Sequence, residues 1–332
     1  MSEPNEKISA RRQFLVRACK AGLSIAAAAG LSYRLYDSSG PGPGIEPDEM
    51  VTLPDFTVIQ RAGQTISIVE GPDRTKTVNK AIELLGGIER FVRPGEKVVI
   101  KPNVAFAQPP IIGSTTHPAL VAEVVRLCYK KAKARQVMVL DNPINEPASC
   151  FTISGIGKSA SQAGAKIILP KDHFFRRTTL DKGKLIRNWP VFYEPLAKAD
   201  KLIGIAPVKD HHRAGASMTM KNFYGLLGGR RNVFHQDINT IIAELSMLVR
   251  PSLVILDGTE AMISNGPTGG SLSDLKRLNT MVASCDPVAA DSYGCTLLGL
   301  KPSELAYLGK AQDAGVGTTD YESLKPIRAT LS

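Results

Sequence analysis

Six short apolar runs recur along the chain, at 97–100, 136–140, 166–169, 201–206, 252–256 and 279–284. Each is too short for a buried helix and is rich in Val, Ile or Leu, as a strand covered on both sides must be. Between them lie stretches of helical period. Val78, Ile82, Leu85, Ile88 and Val92 recur at such spacing, and further helices are predicted over 119–134, 155–163 and 238–249 and after Asp286-Pro287. Strands that alternate with amphipathic helices predict an α/β fold of the doubly wound type: a mainly parallel sheet with helices on both faces. Asp55–Glu70 alternates apolar and polar residues, which predicts strands over Thr57-Val-Ile and 65–69. Residues 171–199 are less regular, and Asp172-His173-Phe-Phe-Arg176-Arg177 within them reads as a surface excursion.

The runs end in polar residues. Lys97-Val-Val-Ile100 leads into Lys101-Pro102-Asn103, and 136–140 leads into Asp141-Asn142. Residues 201–206 lead towards Lys209-Asp-His211-His212, and 252–256 lead into Asp257-Gly258. Open α/β sheets bind ligands beyond the carboxyl ends of their strands, so these side chains are candidates for one site. Residues 205–237 are the densest stretch, with His211, His212 and His235 from a chain that has 5 histidines. Lys221 and Asn222 lie among them. Lys101, Lys209 and Lys221 would form a positive floor for a carboxylate or phosphate. His117, His211 and His235 could act as acid or base, or ligate a metal as neutral imidazoles. Asp257, Asp286 and Asp291 could orient those rings or complete a metal shell. Adjacent His211 and His212 would point to opposite faces of an extended strand, leaving only one in the site. The loop Asn265-Gly266-Pro267-Thr268-Gly269-Gly270 could hold an anion on its backbone amides. The alternative is that each tip residue caps its own helix and the side chains never meet. Asp286 before Pro287, and Thr116 or His117 before Pro118, already read as caps.

The N-terminus carries a different signal. Ser9-Ala-Arg11-Arg12-Gln-Phe14-Leu15 is a twin-arginine motif, followed by the apolar stretch Ala21–Leu31 and a Gly/Pro-rich segment. This layout predicts an export signal or uncleaved anchor over 1–37, a linker over 38–54 and a single α/β domain over 55–332. The expected location is periplasmic, reached through the twin-arginine export machinery. Any membrane contact would run through an uncleaved signal, because the apolar stretch is short for a span. The formal charge is +10, of which the first 37 residues carry +3, six Lys/Arg less three Asp/Glu. No basic run is interleaved with aromatics, which argues against nucleic acid. The 5 cysteines include no Cys-x-x-Cys pair, so no zinc ribbon or ferredoxin-type cluster is readable. Cys128 and Cys295 fall in apolar helical stretches and are expected as buried thiols.

Taken in order, the motifs carry a resemblance. They are Lys101-Pro102-Asn103, Thr116-His117-Pro118, Lys209 to His211 and Met220-Lys221-Asn222-Phe-Tyr-Gly225. Asp257-Gly258, Gly266-Pro267 with Gly270, and Asp286-Pro287-Val-Ala-Ala-Asp291 complete the set. Over about residues 97–300 the chain resembles domain-of-unknown-function family 362. The resemblance implies a shared α/β domain and a shared polar site, favours His211 over His212, and names no reaction. Some members of that family carry a ferredoxin-like segment; this chain lacks its cysteines, so an iron–sulfur label does not carry over. Three functional classes follow. One is an exported enzyme for a small anionic molecule, with His211, His117 and Lys221 in catalysis. It would bind through Lys101, Asn103, Lys209, Asn222, His235, Asp257, Gly266 and Asp291. In that class Lys221 is an anion clamp or, alternatively, a bare nucleophile. The second is a periplasmic binding or accessory protein that holds such a ligand or a metal without turnover. The third is a redox partner with a borrowed iron–sulfur cofactor. Metal and cofactor are otherwise left open.

Overall fold

The structure, a computed structural model, describes residues 16, 17, 19–22, 24, 50–59 and 63–332. The twin-arginine motif and most of the segment after it lie outside the described residues. The residues described between 16 and 24 are helical. Met50–Ser332 forms one compact unit.

Its strands are β1 (Ile66–Glu70), β2 (Lys97–Pro102), β3 (Gln136–Leu140) and β4 (Lys166–Ile168). They continue with β5 (Phe175–Thr178), β6 (Trp189–Phe192), β7 (Lys201–His211) and β8 (Gly215–Ser217). The last are β9 (Leu253–Met262), β10 (Leu275–Ser284) and β11 (Ile327–Thr330). A 9-stranded sheet runs in the order β11-β1-β10-β9-β7-β2-β3-β4, with β8 paired to β7. From β9 through β7, β2 and β3 to β4 every neighbour is parallel. All six apolar runs are therefore strands of one mixed, mostly parallel sheet, and the fold is α/β. The run at 279–284 differs in direction, because β10 lies antiparallel between β9 and β1. Thr57-Val-Ile is not a strand; the chain there makes only an isolated bridge from Asp55 to Arg250. The irregular segment at 171–199 contributes a separate 2-stranded sheet, β5 with β6.

Period-two alternation assigns each strand residue to one of two cores. Val98 and Ile100, Val137 and Val139, Ile203 and Ile205, and Leu253 and Ile255 enter one core. Val99, Met138 and Leu140, Leu202, and Val254 and Leu256 enter the other. On the first face lie α1 (Arg74–Leu84), α2 (Pro118–Lys130), α3 (Pro147–Ile153) and α4 (Ile156–Gln162). Helix α2 shows why: Leu120, Val121, Val124, Val125 and Cys128 recur on one stripe and are buried there. The short α5 (Glu194–Ala197) follows β6. The second face is covered by α6 (Thr219–Asn222), α7 (Ile238–Leu248), α8 (Pro287–Leu297) and α9 (Ala306–Asp313). The cysteines at 128, 150 and 295 are buried free thiols. No helix among the described residues is long and apolar enough to cross a membrane.

Candidate functional site

Parallel pairing brings the ends of β2, β3 and β7 side by side. Beyond them opens a cavity of about 660 Å³, a size that suits a small molecule. Lys101, Asn103, Lys209, His211, Lys221, Asn222, His235 and Gly266 all line it. So do Asp141, Asn142, Arg213, Tyr224 and Arg231. Among the described residues Asp141 is its only carboxylate, against the cations of Lys101, Lys209, Arg213, Lys221 and Arg231.

That carboxylate is committed to the first lysine. Lys101 Nζ lies 2.6 Å from Asp141 Oδ1, with side chains 1% and 2% exposed. The ammonium also donates to Pro102 O and Asn222 Oδ1, each at 2.9 Å. Burial lowers the Lys101 pKa and the Asp141 charge opposes that shift. The second oxygen of Asp141 accepts from the Val104 amide at 2.7 Å, which fixes the chain leaving β2.

Lys209 is equally buried but pairs with no carboxylate among the described residues. Its Nζ donates to Ser114 O at 2.5 Å and approaches Pro267 O at 3.4 Å and Asn103 Oδ1 at 3.5 Å. The Phe106 ring lies 5.4 Å from the same nitrogen. Neutral oxygens solvate an ammonium only in part. Burial, with repulsion from Lys221, brings its pKa down to about 7.

Lys221 rides on α6, a single turn held from outside. Asp291, fully buried on α8, accepts from the Thr219 and Met220 amides at 2.8 and 3.0 Å and from Thr219 Oγ1. Asn222 locks the other end of the turn by donating to Lys101 O and Ile205 O. Lys221 itself is half-buried, with the Tyr224 ring 5.5 Å from its Nζ. Burial and the nearby Arg231 pull its pKa down to about 8. Arg231 spends its terminal nitrogens on four backbone carbonyls, those of Asn142, Pro143, Tyr224 and Leu227. It knits the cavity wall together and leaves its charge unneutralised.

The histidines form a stack. The His211 ring centroid lies 5.1 Å from that of His212 and 6.4 Å from that of His235. His211 Nδ1 accepts from the amides of Arg213 and Ala214, both at 3.2 Å, which puts the proton of the neutral ring on Nε2. Burial, then repulsion from Lys221, His212 and Lys209, holds its pKa at about 2. The ring is a neutral donor at any physiological pH. Among the described residues no three His, Cys, Asp or Glu are grouped as ligands for one metal ion.

The model of the family described as domain of unknown function 362 matches residues 98–296, which spans β2 to α8. The chain belongs to that family. A thylakoid-associated protein of Synechocystis sp. is 25% identical over 259 residues, covering 74% of this chain and 76% of that protein. Among solved structures, the lactate racemase apoprotein of Thermoanaerobacterium thermosaccharolyticum matches with a TM-score of 0.41 and 15% identity. That match covers 74% of this chain and 58% of the racemase chain.

The family-362 motifs divide in space. Lys101 to Asn103, Lys209 to His211, Lys221-Asn222 and Gly266-Pro267 meet in the cavity. Three expected members do not line it. His117 caps α2, its Nδ1 accepting from the Ala119 amide. Asp257 pairs with Arg74 at 2.6 Å, and the Arg74, Asp257 and Glu260 charges all act on His117. These residues form a separate cluster because β9 does not end at Asp257; it runs on to Met262, so Asp257 lies mid-strand. Asp291 is the structural anchor of α6. Asp286 is the N-cap of α8 and accepts from the Ala289 amide. Two further expectations are corrected. His211 and His212 both line the cavity, because β7 turns there into β8. The 265–270 loop spends the Gly266 amide on Asp210 and the Gly269 amide on Asn265 O, and turns the Pro267 carbonyl towards Lys209.

From the sequence Asp141 reads as a strand-tip residue with no role of its own in the site, His212 as turned away from it, and Arg231 and Tyr224 as residues without a role there. The rule that placed Lys101 applies equally to Asp141, since both directly follow an apolar run. Arg231 had no such signal; Gly228-Gly-Arg-Arg231 reads as a solvated loop.

Proposed function

We propose that the cavity binds a small organic anion, with the carboxylate as the group recognised. The observation that carries this reading is the imbalance of charge: Lys209, Lys221 and Arg231 face one cavity, and its one carboxylate among the described residues is already paired to Lys101. Uncompensated cations in a partly dehydrated site repel one another and favour an anionic guest. Asn103 and the Nε2–H of His211 supply neutral groups that would orient it, the Asn222 amide being spent on Lys101 and Ile205. Lys221 is the group suited to proton transfer or attack, with His211 as a neutral hydrogen-bond donor beside it, which keeps an enzymatic role within this reading.

The expected result is a rise in melting temperature with malonate or phosphate. At a hundredfold excess over Kd the gain is about 2.7 kcal/mol, or roughly 4–5 °C for a domain of this size. Lys209→Met should abolish most of it. If neither anion moves the melting temperature of the wild-type protein, the anion reading fails.

Export through the twin-arginine route is part of the same proposal and rests on Arg11-Arg12 ahead of the apolar stretch. Changing both to lysine is expected to retain the protein in the cytoplasm. A normal periplasmic yield of the double-lysine variant in a fractionation assay would overturn it. The relative from Synechocystis is named as thylakoid-associated. For this chain a membrane contact would run through residues 1–37 if the signal stays uncleaved.

A further inference from the structure

The three lysines of the cavity differ in what their amines are free to do. Lys101 gives its protons to Asp141, Pro102 O and Asn222 Oδ1. Lys209 gives its to Ser114 O, with Asn103 and Pro267 at the limit of reach. Both nitrogens are tied to acceptors of the cavity wall, although those of Lys209 are neutral and solvate it only in part. Lys221 Nζ, among the described residues, makes no hydrogen bond or ion pair; it has the Tyr224 ring beside it and the open cavity in front. Its backbone, by contrast, is held at both ends of a single turn, by Asp291 and by Asn222. A free amine on a fixed support is the arrangement that an amine nucleophile needs.

Its surroundings favour the neutral, attacking form. Tyr224 carries Lys221 Nζ at 5.5 Å and the Arg231 guanidinium at 5.9 Å from its ring centroid. Two cations around one ring, with the cavity carboxylate spent on Lys101, make a second positive charge costly at Nζ. A carboxylate on the guest would relieve that repulsion and bring any adjoining group up to the amine.

We propose that Lys221 forms a Schiff base with the carbonyl group of a 2-oxo acid bound in this cavity. The proposal rests on the anion reading above and adds the carbonyl. The amine nitrogen attacks the carbonyl carbon, and the C=O π pair becomes the hydroxyl of a carbinolamine. That hydroxyl then departs as water while the nitrogen lone pair closes the C=N bond. Counted from the ammonium, Lys–NH₃⁺ and R–CO–COO⁻ give Lys–NH⁺=C(R)–COO⁻ and one water, so charge and atoms balance with no further reactant. His211, with its proton on Nε2, lines the same cavity and supplies a donor for the carbonyl oxygen. An iminium next to a carboxylate lowers the barrier to losing a neighbouring proton or carboxyl group, so this is a covalent activation site and not a passive clamp.

The test is reductive trapping with sodium borohydride in the presence of pyruvate or glyoxylate, followed by intact mass and peptide mapping. The expected product carries one reduced oxo-acid adduct, on Lys221, at least tenfold above the exposed Lys198 as internal control. Lactate and malonate, which lack the carbonyl, should give none. Lys221→Arg should lose the adduct and keep the stabilisation by pyruvate in a thermal melt; Lys209→Met should keep some labelling at Lys221. A melting shift with pyruvate but no Lys221 adduct overturns the Schiff base and leaves the anion reading standing. Absence of both overturns both. An adduct spread evenly over surface lysines also overturns the proposal.

Discussion

Asp141→Ala is expected to cost about 3–5 kcal/mol of folding stability, because removing one partner of a buried ion pair strands the other charge. Lys101 and Asp141 meet at 2.6 Å with almost no solvent contact, so the change removes the one counter-charge of a buried ammonium. The change also releases the Val104 and Asn142 amides, which bond to the same carboxylate. Denaturant midpoints of the wild type and variant measure the loss. The double variant Lys101→Met with Asp141→Leu should recover more than half of it, since two apolar groups leave no buried charge unpaired. A cost below about 1 kcal/mol for Asp141→Ala would mean that the pair is hydrated and that Lys101 is available to a ligand. Gly225→Ala tests the same point from outside, because a Cβ there would collide with Asp141 Oδ1 and come within 2.7 Å of Lys101 Nζ.

The same pair shows what the chain discloses about itself. Val98, Val99 and Ile100 name a covered strand because the run is short, β-branched and closed off by Pro94-Gly95 before it and Pro102 after it. From there the polar residues at the strand ends are legible as neighbours, and Lys101, Lys209 and Lys221 do meet. Asp257 misled because the same apolar-then-polar pattern also occurs inside a long antiparallel strand, where β9 pairs with β10 well past it. Asp291 misled because a buried acid on a helix can anchor a distant turn as readily as it can face a ligand. Arg231 was hidden for a third reason. Its role depends on backbone carbonyls at 142, 143, 224 and 227, and carbonyls carry no sequence signal.

Anion affinity should fall steeply as pH rises above neutrality, by about tenfold per unit between pH 7 and 8 and faster beyond. In the empty cavity Lys209 loses its proton near pH 7 and Lys221 near pH 8. A bound carboxylate favours both protonated forms, so binding takes up protons wherever the free site lacks them. The empty protein behaves in the opposite sense. Between pH 7 and about 10.5 the unfolded chain holds a proton on Lys209 that the native state does not, so stability increases as pH rises through that window. Lys221 contributes the same sign from pH 8 upwards. His211, neutral when folded, adds an acid-side loss as pH falls below about 6.5. Asp291, whose pKa burial raises to about 7, acts against these by losing stability as pH climbs from about 4 to 7. Above about pH 8.5 the thiols of Cys128, Cys150, Cys285 and Cys295, which burial pushes up to about 11 to 12, begin to act in the opposite sense to the lysines. From pH 7 to about 8.5 the lysines dominate, and that is the range to measure. Calorimetry with malonate at pH 6.5, 7.5 and 8.5, in buffers of different ionisation heat, gives affinity and proton uptake together. Lys209→Met should remove the break at pH 7 and leave the one at pH 8. An affinity that stays level from pH 6.5 to 8.5 would mean that neither buried lysine touches the anion, and that the charge of the cavity serves its own walls.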